Sequence, residues 1–284
     1  MLLAGTPAFA LNPTLDVGQY AHTAWKIRDG FAKGSILLIA QTPDGCLWLG
    51  TAFGLSRFDG VRNVPWEPPP NQHLSSTVIT RLVTARRGTL WIGTRNGLSS
   101  WKDGKLIEYA ELGGSQIRGL VEDHDGSIWV GTGGPPDGKL CEIRNGSVRC
   151  HPEMDGVTHG VFGLHKDSKG NLWVGLETGV WRWRPGPPEF YAVPGLLNGR
   201  MQGMADSEDN ALLIATTGAV MRLAEGKAER HLRFRICDSL DSRLFVRKRD
   251  GPLGVGNVLI RPLNCPRARD HEWPKVLQSQ AATG

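Results

Sequence analysis

One stretch of the sequence decides the fold: Thr42-Pro43-Asp44-Gly45-Cys46-Leu47-Trp48-Leu49-Gly50-Thr51-Ala52-Phe53-Gly54-Leu55. Asp44-Gly45 predicts a tight turn, because both residues tolerate positive φ angles. Leu47 and Leu49 would then point to one face of a strand and Trp48 to the other. The same pattern returns at residues 88–94, 126–132 and 170–175. The recurrence predicts a repeat protein.

The spacing of the repeats indicates which kind of repeat protein this is. Six positions mark them: Trp48, Trp91, Trp129, Trp173, Leu213 and Gly254. They are 43, 38, 44, 40 and 41 residues apart. This spacing, with four strand-sized segments per repeat, is typical of a β-propeller blade, whereas the rungs of a parallel β-helix are shorter. We predict an all-β propeller of about six four-stranded blades, five clear and one degenerate, or an incomplete seven-bladed ring.

Each repeat also places strands before and after its tryptophan. An apolar segment about twelve positions upstream predicts the innermost strand of the blade: residues 36–39, 78–82, 117–120, 161–164 and 201–204. The outermost strands are predicted at residues 62–66, 106–109, 148–151 and 190–193. Residues 20–27 resemble an outermost strand without a blade of their own, and we expect them to complete the sixth blade and close the ring.

The charge distribution argues against a nucleic-acid-binding protein. The formal net charge is +5, but residues 227–284 carry 12 Lys and Arg against 6 Asp and Glu, which leaves 21 against 22 in the rest of the chain. A binding face for nucleic acid needs positive charge on the folded scaffold, which the repeats do not supply. No apolar run approaches the roughly 18 residues of a membrane-spanning helix, so we predict no membrane span in this chain.

The two ends of the chain suggest export and a separate tail. Ala8-Phe9-Ala10 matches a signal-peptide cleavage site, although the apolar run before it is short and lacks a basic start. We predict a remnant signal peptide at 1–10, a propeller at 11–262 and a disordered or frameshifted tail at 263–284. The expected location is therefore periplasmic or otherwise extracytoplasmic; a merely apolar N-terminus is the alternative.

Several repeats closely resemble the two-component regulator propeller repeat, whose core is roughly D-G-x-L-W-[IVL]-G-T-x-x-G-L. The closest matches are Asp44–Leu55, Gly88–Leu98 and Gly126–Thr132. Looser matches are Lys169–Val180 and Asp209–Val220, with a remnant at Asp250–Asn257. Residues 20–31 are also similar to the opening segment of such sensors. The resemblance covers roughly residues 18–260.

In that family the propeller is the extracytoplasmic, ligand-sensing part of a membrane-bound histidine kinase or hybrid regulator, usually with about seven blades per ring. The resemblance implies a sensor module for a small molecule or an oligosaccharide, with a sensor kinase or a second propeller as partner. No kinase segment follows the sixth repeat. We therefore expect a truncated sensor without catalytic activity and without cofactors.

Two other functions stay open. A propeller lyase or hydrolase of the streptogramin-lyase kind should place a histidine with acidic partners and a metal at one mouth of the channel, where His159 is the histidine that the sequence offers. A protein-interaction platform should show an exposed aromatic patch, for which Trp181 and Trp183 are the candidates. The eight histidines show no metal-binding spacing, so we predict no metal site.

The predicted roles of individual residues follow from propeller geometry. We expect four tryptophans to fill the wedges between blades: Trp48, Trp91, Trp129 and Trp173. A ligand should bind where the loops that lead into the innermost strands converge, at one mouth of the channel. The candidates are Lys33, Ser35, Ser76, Gln116, His159 and Arg200. This set is polar and mostly uncharged, which suits hydroxyl-rich or peptide-like ligands.

Two cysteines are placed to form a disulfide across a hairpin. Asn145-Gly146 predicts a type I′ turn, and counting outward from it pairs Cys141 with Cys150. This is a non-hydrogen-bonded pair, in which Cα atoms approach to about 4.5 Å, within reach of a disulfide. We predict that the bond forms if the protein is exported.

Overall fold

The computed structural model describes residues 25–26, 31–133, 138–152, 154, 157–194, 196 and 201–233. These residues form five four-stranded antiparallel sheets and two short 3₁₀ turns at Ala110–Leu112 and Val157–His159. None of the helices in this part of the chain is long and apolar enough to cross a membrane. The all-β propeller prediction is confirmed.

The strands follow one another in chain order within every blade. Blade 1 consists of β1 (Leu38–Gln41), β2 (Leu47–Thr51), β3 (Gly54–Phe58) and β4 (Asn63–Pro65). Blade 2 consists of β5 (Ile79–Thr84), β6 (Leu90–Thr94), β7 (Leu98–Lys102) and β8 (Lys105–Glu108). Blade 3 consists of β9 (Gln116–Glu122), β10 (Ile128–Gly133), β11 (Leu140–Arg144) and β12 (Ser147–Cys150). Blade 4 consists of β13 (Gly163–Lys166), β14 (Leu172–Gly175), β15 (Gly179–Arg184) and β16 (Glu189–Ala192). Blade 5 consists of β17 (Met201–Asp206), β18 (Leu212–Thr216), β19 (Ala219–Ala224) and β20 (Lys227–Arg233).

The first strands of successive blades, β1, β5, β9, β13 and β17, are neighbours in space. They form the inner layer, and the fourth strands form the rim, as the sequence predicts. The sixth repeat and residues 20–24 lie outside the described residues. Trp25, which is described, packs against blade 1, with its ring centre 4.9 Å from that of Phe58.

The turn between the first two strands of each blade depends on its fourth residue. The amide of Gly45 donates to the carbonyl of Thr42 at 2.9 Å, and the same bond recurs in all five blades. Gly45 has a φ of 83°, and in blade 5 Asn210 occupies this position with a φ of 59°. Asp44 keeps a negative φ, so only the second residue of the predicted Asp-Gly pair needs the left-handed conformation.

The side chains of the first turn also interact. The hydrogen bond from the Thr42 hydroxyl, together with Arg57, lowers the pKa of Asp44 to about 2.

Tryptophan and glycine together build the junctions between blades. Each of the four wedge tryptophans is buried in one hydrophobic cluster, and each cluster joins two successive blades. The glycine two residues later lets the next blade approach: a Cβ on Gly93 would lie 2.8 Å from Cγ2 of Ile117. Equivalent close approaches occur at Gly50, Gly131 and Gly175. The repeated Trp-x-Gly is therefore a requirement of the packing near the axis.

The wedge tryptophans differ in whether their indole N–H groups have a hydrogen-bond acceptor. Trp48 donates to the hydroxyl of Thr42 at 3.0 Å, and Trp173 donates to the carboxylate of Asp167 at 2.8 Å. The indole nitrogens of Trp91 and Trp129 are buried and have no hydrogen-bond partner within the described ranges. In blade 2 the acceptor position is Ala85, which has no side-chain oxygen.

Candidate functional site

The innermost strands carry irregularities at one level of the channel. The pairing of β5 with β6 shifts between Ile79 and Arg81, which leaves Thr80 outside the ladder. The same shift leaves out Arg118 in β9 and Gln202 in β17. A bulge of this kind redirects the extra side chain, and bulges are enriched next to functional sites. Three blades thus turn a polar side chain away from their own sheet at the edge that borders the axis.

The same level is occupied by Leu37 in blade 1 and Phe162 in blade 4. Each lies one residue before the first ladder pair of its strand and donates its amide to the carbonyl of a glycine, Gly50 or Gly175. All five residues stand eleven positions before the wedge position of their repeat. We call them the channel set: Leu37, Thr80, Arg118, Phe162 and Gln202. Unlike the junction residues, they are different in every blade.

Two members of the channel set contact each other across a blade boundary. The guanidinium carbon of Arg118 lies 5.2 Å from the centre of the Phe162 ring. Its Nη2 is 3.4 Å from the side-chain oxygen of Gln116. Gly133 leaves the space in which this side chain lies, because a Cβ there would collide with Arg118. The arrangement joins a positive charge and an aromatic face between blades 3 and 4.

The loop residues predicted as ligand contacts differ in their surroundings. Lys33, Ser35 and His159 are exposed, and His159 ends the 3₁₀ turn before β13. The hydroxyl of Ser76 accepts a hydrogen bond from the amide of Val78 at 3.1 Å, which uses it in shaping its own loop. Gln116 is the predicted residue that the structure brings to the channel set. Arg200 lies outside the described residues.

Sequence reasoning missed Arg118 and Phe162, as well as Thr80 and Gln202. A signal was present in three of the five repeats, because the residue eleven positions before the wedge (Thr80, Arg118 or Gln202) is polar within a largely apolar segment. The neighbouring positions twelve and nine residues before the wedge hold Ile, Leu, Val or Met in all five repeats. The position that varies beside these repeated apolar residues is thus the sequence signal for the candidate channel set.

The opposite end of the channel, where the turns after the first strands lie, holds blades together through ion pairs. Lys166 of blade 4 contacts Asp123 of blade 3 at 2.7 Å, with both side chains largely buried. His165 contacts Asp206 of blade 5 at 2.7 Å. Burial raises the pKa of Asp123, but the hydrogen bond and charge of Lys166 outweigh it, so that the pKa lies below its ordinary value. These charges stabilise the scaffold and lie away from the channel set.

The hairpin of blade 3 carries a disulfide. Cys141 and Cys150 face each other in the register that the Asn145-Gly146 turn predicts, with an S–S distance of 2.03 Å and Cα atoms 3.9 Å apart. The bond joins the third and fourth strands of the blade that carries Arg118. Cys46, directly before β2, is a free, buried cysteine.

The other candidate residues have structural contacts. Trp181 and Trp183 are half-buried against the cluster between blades 3 and 4, and the Trp183 ring centre is 5.5 Å from that of His151. Arg184 places its guanidinium carbon 4.9 Å from the Trp129 ring centre. Among the side chains that the structure describes, no group of three or more His, Cys, Asp or Glu is placed to hold a metal ion.

A family model described as two component regulator propeller matches residues 73–96 and 111–134. The two matched segments contain the wedges Trp91 and Trp129 and the channel residues Thr80 and Arg118. In these two segments the chain is similar to two-component regulator propeller repeats. No curated protein sequence is significantly similar to it.

Solved structures with the same fold come from proteins of different kinds. Virginiamycin B lyase from Staphylococcus aureus is 18% identical, with a TM-score of 0.54 over 72% of this chain and 70% of that chain. PorZ, a surface component of the type-IX secretion system of Porphyromonas gingivalis, is 14% identical, with a TM-score of 0.54 over 75% of this chain and 36% of that chain. The extracellular domain of a hybrid two component system from B. thetaiotaomicron is 18% identical, with a TM-score of 0.46 over 72% and 34%. At these identities the likeness to the first two establishes the fold alone.

Proposed function

We propose that this chain is a ligand-sensing propeller of a two-component signalling system, with the ligand bound at the channel set. One observation carries the proposal. The residues that build the blades repeat, whereas Thr80, Arg118 and Gln202 are polar, differ from one another, and are turned out of their sheets at the same level. The packing of the blades does not explain this pattern, whereas a ligand that contacts several blades would make use of it.

Signalling would follow from the place of the site on a blade junction. Arg118 belongs to blade 3 and Phe162 to blade 4, so a ligand that contacts both favours one spacing of the two blades. A ligand shifts a conformational equilibrium only through its difference in affinity for the two states. A site that spans a junction supplies this difference directly. The expected partner that reads the change is a sensor kinase or a second propeller.

We also propose an extracytoplasmic location. The disulfide between Cys141 and Cys150 supports it, because such bonds persist in oxidising compartments and are rare in the cytosol. The Ala8-Phe9-Ala10 motif agrees with export, although residues 1–10 lie outside the described residues.

A thermal-shift screen of the full chain tests the sensing proposal. Small metabolites, peptides and oligosaccharides would be added singly to the wild type and to Phe162→Leu, with Phe190→Leu as the matched control on the outer strand β16. We expect ligands that raise the melting temperature of the wild type and of Phe190→Leu but have a weaker effect on Phe162→Leu. Ligands that stabilise all three proteins equally would place binding elsewhere and contradict the proposal.

The same ligands separate sensing from catalysis. Each stabilising compound would be incubated with the protein and then recovered for mass spectrometry. Sensing predicts that the compound is recovered unchanged. A cleaved or eliminated product would instead support the lyase or hydrolase alternative.

A further inference from the structure

We infer that the propeller closes as a ring of six blades, with the sixth repeat docked directly on blade 1. The sixth repeat, around Asp250–Asn257, lies outside the described residues. Its place in the ring follows from the face of blade 1 that points away from blade 2, which we call the back face, and from contacts that recur at the four described junctions. The competing arrangement is a ring in which a seventh blade separates the sixth repeat from blade 1.

The back face of blade 1 exposes an apolar residue at a position that is buried in other blades. Leu82 and Leu120 lie nine residues before the wedge tryptophan of their own blade, and they are 1% and 7% exposed. Each belongs to the cluster that contains the wedge tryptophan of the preceding blade. Ile39 holds the same position in blade 1 and is 54% exposed. The back face is therefore a junction surface that the described residues leave partly uncovered.

At each described junction, the glycine two residues after the wedge lies against an apolar residue of the next blade. The pairs are Gly50 with Ile79, Gly93 with Ile117, Gly131 with Val161 and Gly175 with Met201. The apolar partner always stands twelve residues before the wedge position of its own repeat. The sixth repeat has Gly256 at the glycine position, and blade 1 has Ile36 at the partner position. These two residues form a fifth pair of this kind if the sixth repeat precedes blade 1 in the ring.

The junction between the fifth and sixth repeats differs in a complementary way. Blade 5 has Ala215 in place of the glycine, and the sixth repeat has Ser242 in place of the large apolar partner. A larger residue on one side thus coincides with a smaller residue on the other, as close packing requires. Ile36 is large and therefore needs a glycine on the preceding blade, which Gly256 supplies.

An aromatic contact at the rim supports the same arrangement. Between blades 1 and 2, the ring centre of Trp66, which follows the outermost strand β4, is 5.2 Å from that of Trp101 in the third strand β7. A similar aromatic contact joins blades 3 and 4. Trp25 makes this contact with Phe58, which holds the position of Trp101 in blade 1. Residues 20–27 are the predicted outermost strand of the sixth blade, so this is the contact expected of that blade at the rim of blade 1.

A double-mutant cycle between Gly256 and Ile36 tests the inference on the full chain. Gly256→Ala should lower the midpoint of urea unfolding by roughly 0.5 M, because the new Cβ would collide with Ile36. In the Ile36→Ala background the same change should have little further effect, because the space that it needs is already free. Gly93→Ala is the control and should keep its full effect in that background, because Gly93 contacts Ile117 instead. Additive effects of Gly256→Ala and Ile36→Ala would show that the two residues do not meet and would overturn the inference.

Thiol labelling provides a second measurement that does not depend on the stability of these variants. Ile39→Cys would pack on the backbone of the sixth repeat at Gly254, whereas Phe53→Cys lies at a position that is 67% exposed. We expect the cysteine at position 39 to react at least about tenfold more slowly than the one at position 53, with each peptide followed by mass spectrometry. Equal rates would contradict the inference. Protection that is lost on dilution would indicate a second copy of this chain on the back face, and protection with an additive cycle would indicate a seventh blade; either result would overturn the six-bladed ring.

Discussion

At the junctions between blades, one tryptophan and one glycine recur from blade to blade, whereas along the channel the five corresponding positions hold Leu, Thr, Arg, Phe and Gln. Both sets belong to the same repeat and are separated by only eleven residues. The junction residues touch the next blade, so their size and shape are constrained by packing. The channel residues are less uniformly constrained: Gln202 is exposed, whereas Phe162 packs against the cluster between blades 4 and 5. In this propeller the repeated residues specify the architecture, and the residue that does not repeat is the candidate for a role in binding.

Replacing Gly93 with alanine should break the junction between blades 2 and 3. The new Cβ would lie 2.8 Å from Cγ2 and 2.9 Å from Cβ of Ile117, and 3.1 Å from Cβ of Arg81. Because these atoms of Ile117 and Arg81 lie close to the backbone of their inner strands, they can move away only if the strand itself shifts. We expect a loss of about 1–3 kcal/mol in the free energy of unfolding, measured by urea denaturation.

Two control variants make this comparison sharper. A Cβ on Gly203, in the inner strand of blade 5, would meet nothing within 4 Å, so Gly203→Ala should have little effect on the stability. Gln202→Ala changes the channel instead of a junction and should alter the free energy of unfolding by no more than about 0.5 kcal/mol. If Gln202→Ala costs as much as Gly93→Ala, the channel set is part of the packing and the distinction fails.

Replacing Ala85 with threonine should improve the junction that Trp91 forms. In blade 1 the hydroxyl of Thr42 accepts the indole N–H of Trp48 at 3.0 Å, whereas the indole nitrogen of Trp91 is buried without a partner among the described residues. Ala85 holds the position equivalent to Thr42. Restoring the missing acceptor should stabilise the protein by about 1 kcal/mol relative to Ala85→Val, which adds similar volume but no oxygen.

Chemical denaturation of the wild type and both variants measures this difference. The converse change, Thr42→Ala, should destabilise blade 1 by a similar amount. Equal stability of Ala85→Thr and Ala85→Val would mean that the hydroxyl does not reach the indole and that the blades are less equivalent than their sequences suggest.

The fold could be predicted from the sequence because its determinants are local. The Asp44-Gly45 turn, the alternation around Trp48 and the spacing of the tryptophans each follow from a few adjacent residues. The candidate site could not be located in the same way. A bulge adds one residue to a strand and reverses the direction of a side chain, and it becomes visible only when the partner strand and its register are known. The contact of Arg118 with Phe162 also depends on how two blades pack.

The charged contact between blades 4 and 5 should make one junction sensitive to acid. Burial raises the pKa of Asp206, but the hydrogen bond from His165, its charge and the amide of Ser168 together bring it below its ordinary value. A carboxyl group whose pKa is lower in the folded state stabilises the protein above its unfolded pKa of about 4, and loses this effect as the pH falls through the folded value.

Asp206→Asn should therefore be less stable than the wild type at pH 6. The loss in the free energy of unfolding should be about 1 kcal/mol or less, because the pair is partly exposed. This difference between the two proteins should shrink as the pH falls from 5 to 3. Urea titrations at several pH values measure it, and Asp103→Asn, at an exposed turn, corrects for the change in net charge. A difference that stays constant with pH would show that Asp206 acts through its shape and hydrogen bonds alone. In that case the junction between blades 4 and 5 would depend on packing and neutral hydrogen bonds, in contrast to the Lys166–Asp123 ion pair between blades 3 and 4.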